Sequence, residues 1–386
     1  MIALNGPRPA LTIFVPHASA LLTDNKANGD GLIAFELVSR LAARGHRLHV
    51  AAPAIDVRSA TPPNLMLYEV GVRRPASMLG RMTYMLKVRN LYERIRRREQ
   101  IDLAHQLNPV FTGISLALGG TRPPRVLGCF VSDWPSEVKP KWSAGLSLRR
   151  RIAALQQHDA AALLIATPAA RSRVIEADLN AAKIVTLPYG IDASRYAVTR
   201  TAPTPPSVLF LGRLERCKGI FSLIDAFRLV HAAFPQAVLN IAGSGPEWHA
   251  VIAAVETAGL SDAVRFLGTV PREDVPRVMA ESTVFCLPSH GEPFGMVLLE
   301  AMASAKPIVA TDLGGPSHIV SPLGGRKVPP GSPAALADAL VEILRSPSLA
   351  DSMGLHNRRL AEERYSWDNL ILQLESVYYD VLSRFA

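Results

Sequence analysis

Cysteine is scarce in this chain. Three residues of 386, Cys129, Cys217 and Cys286, are too few for a disulfide framework and too far apart for CxxC spacing. They are expected to be small buried apolar residues. No HExxH occurs, and no Asp-x-Asp pair is available to hold a metal-bound diphosphate, so no metal is expected. Long apolar runs are missing too. The longest, AAALLIATPAA at residues 160–170, contains a proline and falls short of the roughly 18 residues of a membrane-spanning helix. LTIFVP at 11–16 has the length of a buried strand, and no small-residue cleavage site follows a charged leader. A cytoplasmic location is expected.

Hydrophobic residues at 48% and charged residues at 19% describe a packed soluble protein and exclude disorder. A chain of 386 residues exceeds one ordinary core, so two domains are expected. The net charge of +9 is uneven: residues 1–190 hold 25 Lys and Arg against 13 Asp and Glu, and the remainder holds 17 against 20. The basic half calls for an anionic neighbour, whether lipid headgroups, nucleic acid or an acidic substrate. No motif that reads RNA or DNA accompanies the charge, so nucleic acid is not expected as a partner.

Short Val/Ile/Leu-rich runs alternate with helical patterns, the grammar of βα units around a parallel sheet buried on both faces. Strands are predicted at 11–16, 47–53, 101–107, 124–130, 162–168 and 183–188, with a helix over 32–43 stopped by Gly45. ASRYAVTRTAPTPP at 193–206 has three prolines and no periodicity, and reads as a linker. Beyond it, strands are predicted at 207–214, 237–245, 263–268, 283–289 and 307–312. The expected fold is α/β: two Rossmann-like, doubly wound domains at 1–192 and 207–365, and a terminal helix over 366–386 returning to the first. Ligands of such sheets bind beyond the carboxyl ends of the strands, so the functional loops should face each other across a cleft.

Three loops carry the chemistry. In GRLERCKGIFSLIDAF, Arg213 follows a strand and Lys218 and Gly219 open a helix, two cations beside free helix N–H groups and suited to phosphate. Walker spacing is absent. AGSGPEW at 242–248 is a second glycine turn between strand and helix, containing Gly243; ordinary turn geometry explains it equally well. In HGEPFGMVLLEAMASAKPIVATDLGG, at 290–315, Glu292 sits in a loop and Glu300 one turn into an apolar helix. A carboxylate in an apolar helix costs free energy unless something satisfies it. Glu292 can accept sugar hydroxyls. The backbone N–H groups of Phe294, Gly295, Met296 and Val297 can donate to a diphosphate or to sugar oxygens, and Glu300 can accept ribose hydroxyls.

These stretches, with RFLGTV at 265–270, YGID at 189–192 and YSWDNLILQLESVYYDVL at 365–382, resemble the retaining GT-B glycosyltransferases of family 4, whose hallmark is E-x7-E. The resemblance covers essentially the whole chain. It implies that Arg213 and Lys218 bind the donor diphosphate, Glu292 the donor sugar, Glu300 the ribose, and the turn at Leu267 and Thr269 the base, all without a metal. The first domain would bind the acceptor and the second the nucleotide sugar, with a UDP-sugar favoured over a GDP-sugar. The GG loop of the family is present as ANGDG, which keeps Gly29 where backbone approaches phosphate. CFVSDWP offers Ser132 and Asp133 but lacks the histidine common at that place; Asp133 and His105 are candidate contacts.

On the acceptor side, YMLKVRNLYERIRRREQ at 84–100 has Met85, Val88, Leu91, Tyr92 and Ile95 on one helical face among six cations. KPKWSAGLSLRRR at 139–151 mixes Trp142 with Lys139, Lys141, Arg149, Arg150 and Arg151. Both suit an anionic membrane surface. The reading is a retaining transferase at the inner face of the membrane with a lipid-linked acceptor. The alternatives are a soluble transferase with a small acceptor, and an epimerase or hydrolase on the same fold.

Overall fold

The computed structural model describes residues 9–24, 29–71, 78–107, 123–128, 160–168, 171, 181–198 and 205–385. The chain divides into two compact units, Met1–Pro188 with Ile371–Ala386, and Tyr189–Leu370. The break at Pro188 falls before the expected end of the first domain, and the terminal division lies inside the last helix, Trp367–Ser383.

The first unit is built on β1 (Thr12–Val15), β2 (Leu21–Thr23), β3 (Arg47–Ala52), β4 (Ala54–Asp56), β5 (Leu65–Glu69), β6 (Leu103–Gln106), β7 (Arg125–Gly128), β8 (Ala162–Ile165) and β9 (Ile184–Thr186). Seven of these form one parallel sheet in the order β5-β3-β1-β6-β7-β8-β9, and β2 pairs with β4 at its side. Strands β6, β7 and β8 are buried along their whole length, as residues covered on both faces must be. Helix α1 (Gly29–Ala43) starts three residues before the predicted position, and Gly45, at φ 96°, ends it as expected. The sequence reading missed β2, β4 and β5. Two are three-residue strands, and the side chains of β5 are mostly half-buried, so none presents a clear apolar run.

Helix α2 (Met78–Arg96) corrects one expectation. Val88, Leu91, Tyr92 and Ile95 do not face a membrane. They are buried in a cluster with Phe14, Ala51 and Ala104, and Met85 packs against its edge. Among the described side chains of α2, the exposed apolar ones are Leu79, Met82 and Leu86, at 75%, 54% and 63% exposure. Ser132, Asp133, the 139–151 segment and Cys129 lie outside the described residues.

His105 on β6 is buried, and both ring nitrogens are engaged: Nε2 lies 2.8 Å from the Gly128 carbonyl and Nδ1 2.7 Å from the Tyr378 hydroxyl. A carbonyl only accepts, so Nε2 carries the proton and Nδ1 accepts from the phenol. Beside this pair, buried Glu375 accepts from Arg44 at 2.9 Å and from His46 Nε2 at 3.0 Å, while His46 Nδ1 accepts the Leu11 N–H. These contacts fasten the end of the chain to the first sheet. Both ring nitrogens of His105, a candidate contact in the sequence, are thus spent on anchoring the fold.

The second unit has six parallel strands: β10 (Ser207–Leu211), β11 (Val238–Ala242), β12 (Val264–Gly268), β13 (Val284–Leu287), β14 (Ile308–Thr311) and β15 (Gly325–Val328). Their order, β12-β11-β10-β13-β14-β15, reverses direction between β10 and β13. Phe210, Leu223, Phe227, Leu239 and Ile241 belong to its core. The stretch expected to be a linker starts with a 3-10 turn, Ala193–Arg195, followed by buried Tyr196.

Burial pushes the His105 imidazole down to about 4. A histidine kept neutral in the fold stabilises it above the unfolded pKa of about 6.5, and that contribution is lost as pH falls toward 4. Tyr378→Phe leaves buried Nδ1 without its donor and should cost about 1–3 kcal/mol of unfolding free energy at pH 7, measured by denaturant titration.

Candidate functional site

A doubly wound sheet leaves a gap where neighbouring strands send their connections to opposite faces, and that gap is the ligand crevice. In the second unit the gap opens between the carboxyl ends of β10 and β13. The loop after β10 brings Lys218, and the loop after β13 brings Glu292. Lys218 Nζ lies 2.7 Å from Glu292 Oε2, with only 23% and 10% of the two side chains exposed. A partly buried charge-assisted bond of this length holds both groups to one geometry.

The backbone around the pair is packed too closely for any residue but glycine at several points. Gly219, at φ 71°, ends the turn Arg216–Lys218, and a Cβ there would meet the Pro288 carbonyl oxygen at 1.9 Å. Gly314, at φ 67°, lies against Glu292, where a Cβ would meet the carbonyl oxygen at 2.3 Å, and the Gly315 N–H donates to that same oxygen at 2.8 Å. The glycine pair after β14 therefore clamps the Glu292 loop. His290 N–H donates to the Cys217 carbonyl at 2.8 Å, joining the two loops a second time.

Helix Met296–Ala303 follows Gly295, at φ 92°, and no side chain caps its amino end. The amides of Met296 and Val297 sit in that uncapped first turn, where a helix favours anions. Phe294 has a buried ring packed on Tyr189, centroids 4.5 Å apart, so its side chain anchors the loop. Glu300 lies one turn into the helix. Although the residue keeps part of its surface open, burial of the carboxyl pushes it up to about 7, against the pull of Arg272, a hydrogen bond from Tyr196, and Arg195. The acid expected to need a partner thus has three neighbours, and the sequence reading named none of them.

The remaining predicted residues divide into two groups. Gly243, at φ 128°, is required because a Cβ would lie 1.9 Å from the Gly212 carbonyl oxygen, so this turn packs directly on the segment before Arg213. Thr269 Oγ1 donates to Ser244 Oγ at 3.0 Å, and Leu267 is 41% exposed beside it, which gathers the second glycine turn and the predicted base turn into one place. Arg213 is 72% exposed and pairs with Glu215 at 2.8 Å, leaving Lys218 as the enclosed cation of the two. In the first unit Gly29 opens α1. Gly31 is the tightly packed glycine there, its Cβ position 2.1 Å from the Leu21 carbonyl oxygen. Among the described residues no three His, Cys, Asp or Glu side chains group as a metal site.

Two family models match the chain. The one described as Glycosyltransferase Family 4 covers residues 27–195, and the one described as Glycosyl transferases group 1 covers 196–360. The N-acetyl-alpha-D-glucosaminyl L-malate synthase of Bacillus anthracis is 25% identical over 92% of this chain and 94% of its own. The phosphatidyl-myo-inositol mannosyltransferase of Mycobacterium leprae is 38% identical over 45% of this chain and 46% of its own. The chain spans about half the length of several curated relatives it matches, as it does for the latter. Among solved structures, Anabaena HepE in complex with UDP and glucose superposes with a TM-score of 0.74 at 20% identity, covering 96% of this chain and all (100%) of that one, a likeness of fold.

A carboxyl raised above its unfolded pKa favours the protonated fold, so its contribution is lost as pH rises through about 7. Glu300→Gln should therefore stabilise the ligand-free protein at pH 8, by up to about 3 kcal/mol, and change little near pH 4. Urea titrations at the two pH values measure the difference.

Proposed function

The chain belongs to the family 4 glycosyltransferases of GT-B fold, and from that premise we propose that it moves a sugar from a nucleotide-sugar donor to an acceptor hydroxyl with retention of anomeric configuration. The Lys218–Glu292 pair at the strand-order reversal carries the reading. It sets a cation for phosphate against an acceptor for sugar hydroxyls, beside an uncapped helix start and with an ionisable acid one turn further along.

In this reading Lys218, assisted by Arg213 and the Met296 and Val297 amides, neutralises charge on the leaving diphosphate. The bond from the anomeric carbon to the phosphate oxygen breaks, and the bond to the acceptor oxygen forms on the same face. The proton of the acceptor hydroxyl passes to the departing phosphate. Glu292, aligned by Lys218, holds the sugar hydroxyls, and Glu300 holds the ribose. Leu267, Gly243 and Thr269 border the base, for which uracil is favoured over guanine. Gly29 and Asp133 are the contributions assigned to the first domain. Two cations stand in for the divalent ion that other transferases use.

The acceptor is assigned to the lipid-linked class, as in glycolipid or polysaccharide assembly, with the protein at the inner face of the membrane. Its support is α2. A strand runs into the amino end of the helix that follows it, so the first turns of α2 lie at the edge of the sheet from which the ligand loops arise. There Leu79, Met82 and Leu86 form an exposed stripe at i, i+3 and i+7, with Lys87 and Arg89 exposed next to it. An apolar stripe flanked by cations fits an anionic bilayer. The second reading, a small soluble acceptor, is favoured by the relative matched over 94% of its own length, the N-acetyl-alpha-D-glucosaminyl L-malate synthase.

UDP or GDP should raise the thermal midpoint with EDTA present; a ligand at about 100 times its Kd adds roughly 2.7 kcal/mol. Stabilisation only with a divalent ion would contradict the role given to Lys218 and Arg213. Glu292→Gln should lower turnover more than nucleotide affinity, read from kcat against Kd.

The protein should also sediment with vesicles containing anionic lipid, and salt should release it. Leu79→Asn, Met82→Asn and Leu86→Asn together should abolish that binding and leave nucleotide affinity unchanged. Absence of binding at low salt would favour the small acceptor.

A further inference from the structure

The strand order of the first unit also reverses direction, between β1 and β6. The rule that opens a gap in the second unit therefore puts a crevice beyond the carboxyl ends of these two strands. The segment leaving β1, residues 16–19, is buried throughout, although connecting loops ordinarily run over the surface. Two bonds fix it: the Ala18 N–H donates to the Ala51 carbonyl at 3.1 Å, and the Tyr84 hydroxyl to the Pro16 carbonyl at 3.0 Å. The Tyr84 ring also meets the His17 imidazole edge-on, centroids 5.5 Å apart. Helix α2 thus packs on this loop with the same turns that expose Met82 and Leu86. On the other side Phe14 pairs with Ala104, and that register carried two residues further sets Gln106, the last residue of β6, level with Pro16.

Buried polar side chains in this unit are sorted by edge. At the carboxyl edge stand His17 and Ser19 after β1, Gln106 at the end of β6 and Thr167 after β8. The buried charges Arg125, which opens β7, and Glu375, bonded to His46 ahead of β3, lie toward the amino edge. Burial pushes the His17 imidazole down to about 3, so the ring is neutral at working pH and offers one donor and one acceptor. Ser19 Oγ is enclosed and has no hydrogen-bond partner among the described residues. Such a hydroxyl costs free energy until something satisfies it. We propose that His17, Ser19 and Gln106 form an acceptor subsite in the first unit, and that it takes a neutral polyhydroxyl group, such as a sugar or cyclitol ring, in preference to an anionic acid. The inference rests on the reading that the first unit binds the acceptor. Imidazole, hydroxyl and carboxamide each donate and accept, which suits neighbouring hydroxyls, whereas a carboxylate or phosphate calls for cations that these three side chains do not supply. Lys87 and Arg89 are exposed on α2, where a lipid headgroup would meet them. A lipid-linked polyol satisfies both faces of the helix.

The test is an NMR titration of the full chain, isotopically labelled at histidine and serine and with UDP present. The neutral probes are myo-inositol, glucose, mannose and N-acetylglucosamine, and the anionic probe is L-malate. At least one neutral probe should shift the His17 ring signals, which are identified by their loss in His17→Phe. Ser19→Ala should weaken that binding about fivefold at an unchanged thermal midpoint. His17→Phe keeps a ring against Tyr84 but no nitrogen, and should weaken it about tenfold, read from the Ser19 signals. If L-malate moves the His17 signals at least as readily as every neutral probe, the neutral class is overturned while the acceptor reading stands. Binding of unchanged strength in both variants, or a lowered midpoint for Ser19→Ala, would overturn the subsite alone. No response of any first-unit signal to any probe would overturn the acceptor reading and the subsite with it. Should His17→Phe fail to fold, Ser19→Ala decides by itself.

Discussion

The constraint on which the second unit depends is the reversal of strand order between β10 and β13. Two adjacent parallel strands there send their chains to opposite faces, so their carboxyl ends part and no connection crosses between them. Lys218 and Glu292 span that gap, and the glycines around them bring the loops close enough to do so. A side chain at position 219 or 314 would meet backbone carbonyl oxygen well inside contact distance. Glycine at these positions serves close approach as well as left-handed torsion angles. The ion pair and the tight backbone are therefore one design, since neither loop could hold its charge in place without the other.

Electrostatics in the site are graded by enclosure. Arg213 is largely solvated and pairs with a neighbouring acid, which makes it a weak structural contributor and an available one. Lys218 and Glu292 are mostly enclosed and held to one geometry. Glu300 keeps part of its surface open, yet burial of its carboxyl outweighs the pull of Arg272, Tyr196 and Arg195. Such a carboxyl is costly to the empty protein and useful to a ligand rich in hydroxyl donors, a trade of stability for binding common at functional sites.

In the first unit the same logic is applied to structure. Burial works against ionised Glu375, but hydrogen bonds from Arg44 and His46 hold it below the usual carboxylate range. His105 spends both nitrogens on fastening β6 to Gly128 and Tyr378. Polar groups that looked available for chemistry are consumed in anchoring the terminal helix. Helix α2 divides its apolar residues, with Val88, Leu91, Tyr92 and Ile95 inward and Leu79, Met82 and Leu86 outward.

The alternation of strands and helices, the repetition of that pattern in two halves, and the spacing of Arg213, Lys218, Glu292 and Glu300 were legible in the sequence, because burial on both faces and loop chemistry leave local composition marks. Strands β4 and β15 left no such mark, since β4 is half-buried throughout and β15 carries Arg326 and Lys327 in place of an apolar run. Tertiary structure alone decided which apolar face of α2 turned inward, because both faces carry large side chains and only the partner surface selects between them. It alone brought Tyr196 to Glu300, across a stretch whose prolines and lack of period hide a buried residue. It also assigned Gly314 and Gly315 to clamping Glu292, a role no residue type announces by itself. Periodicity records what a segment can bury, whereas the neighbour it is buried against depends on chain far away in sequence.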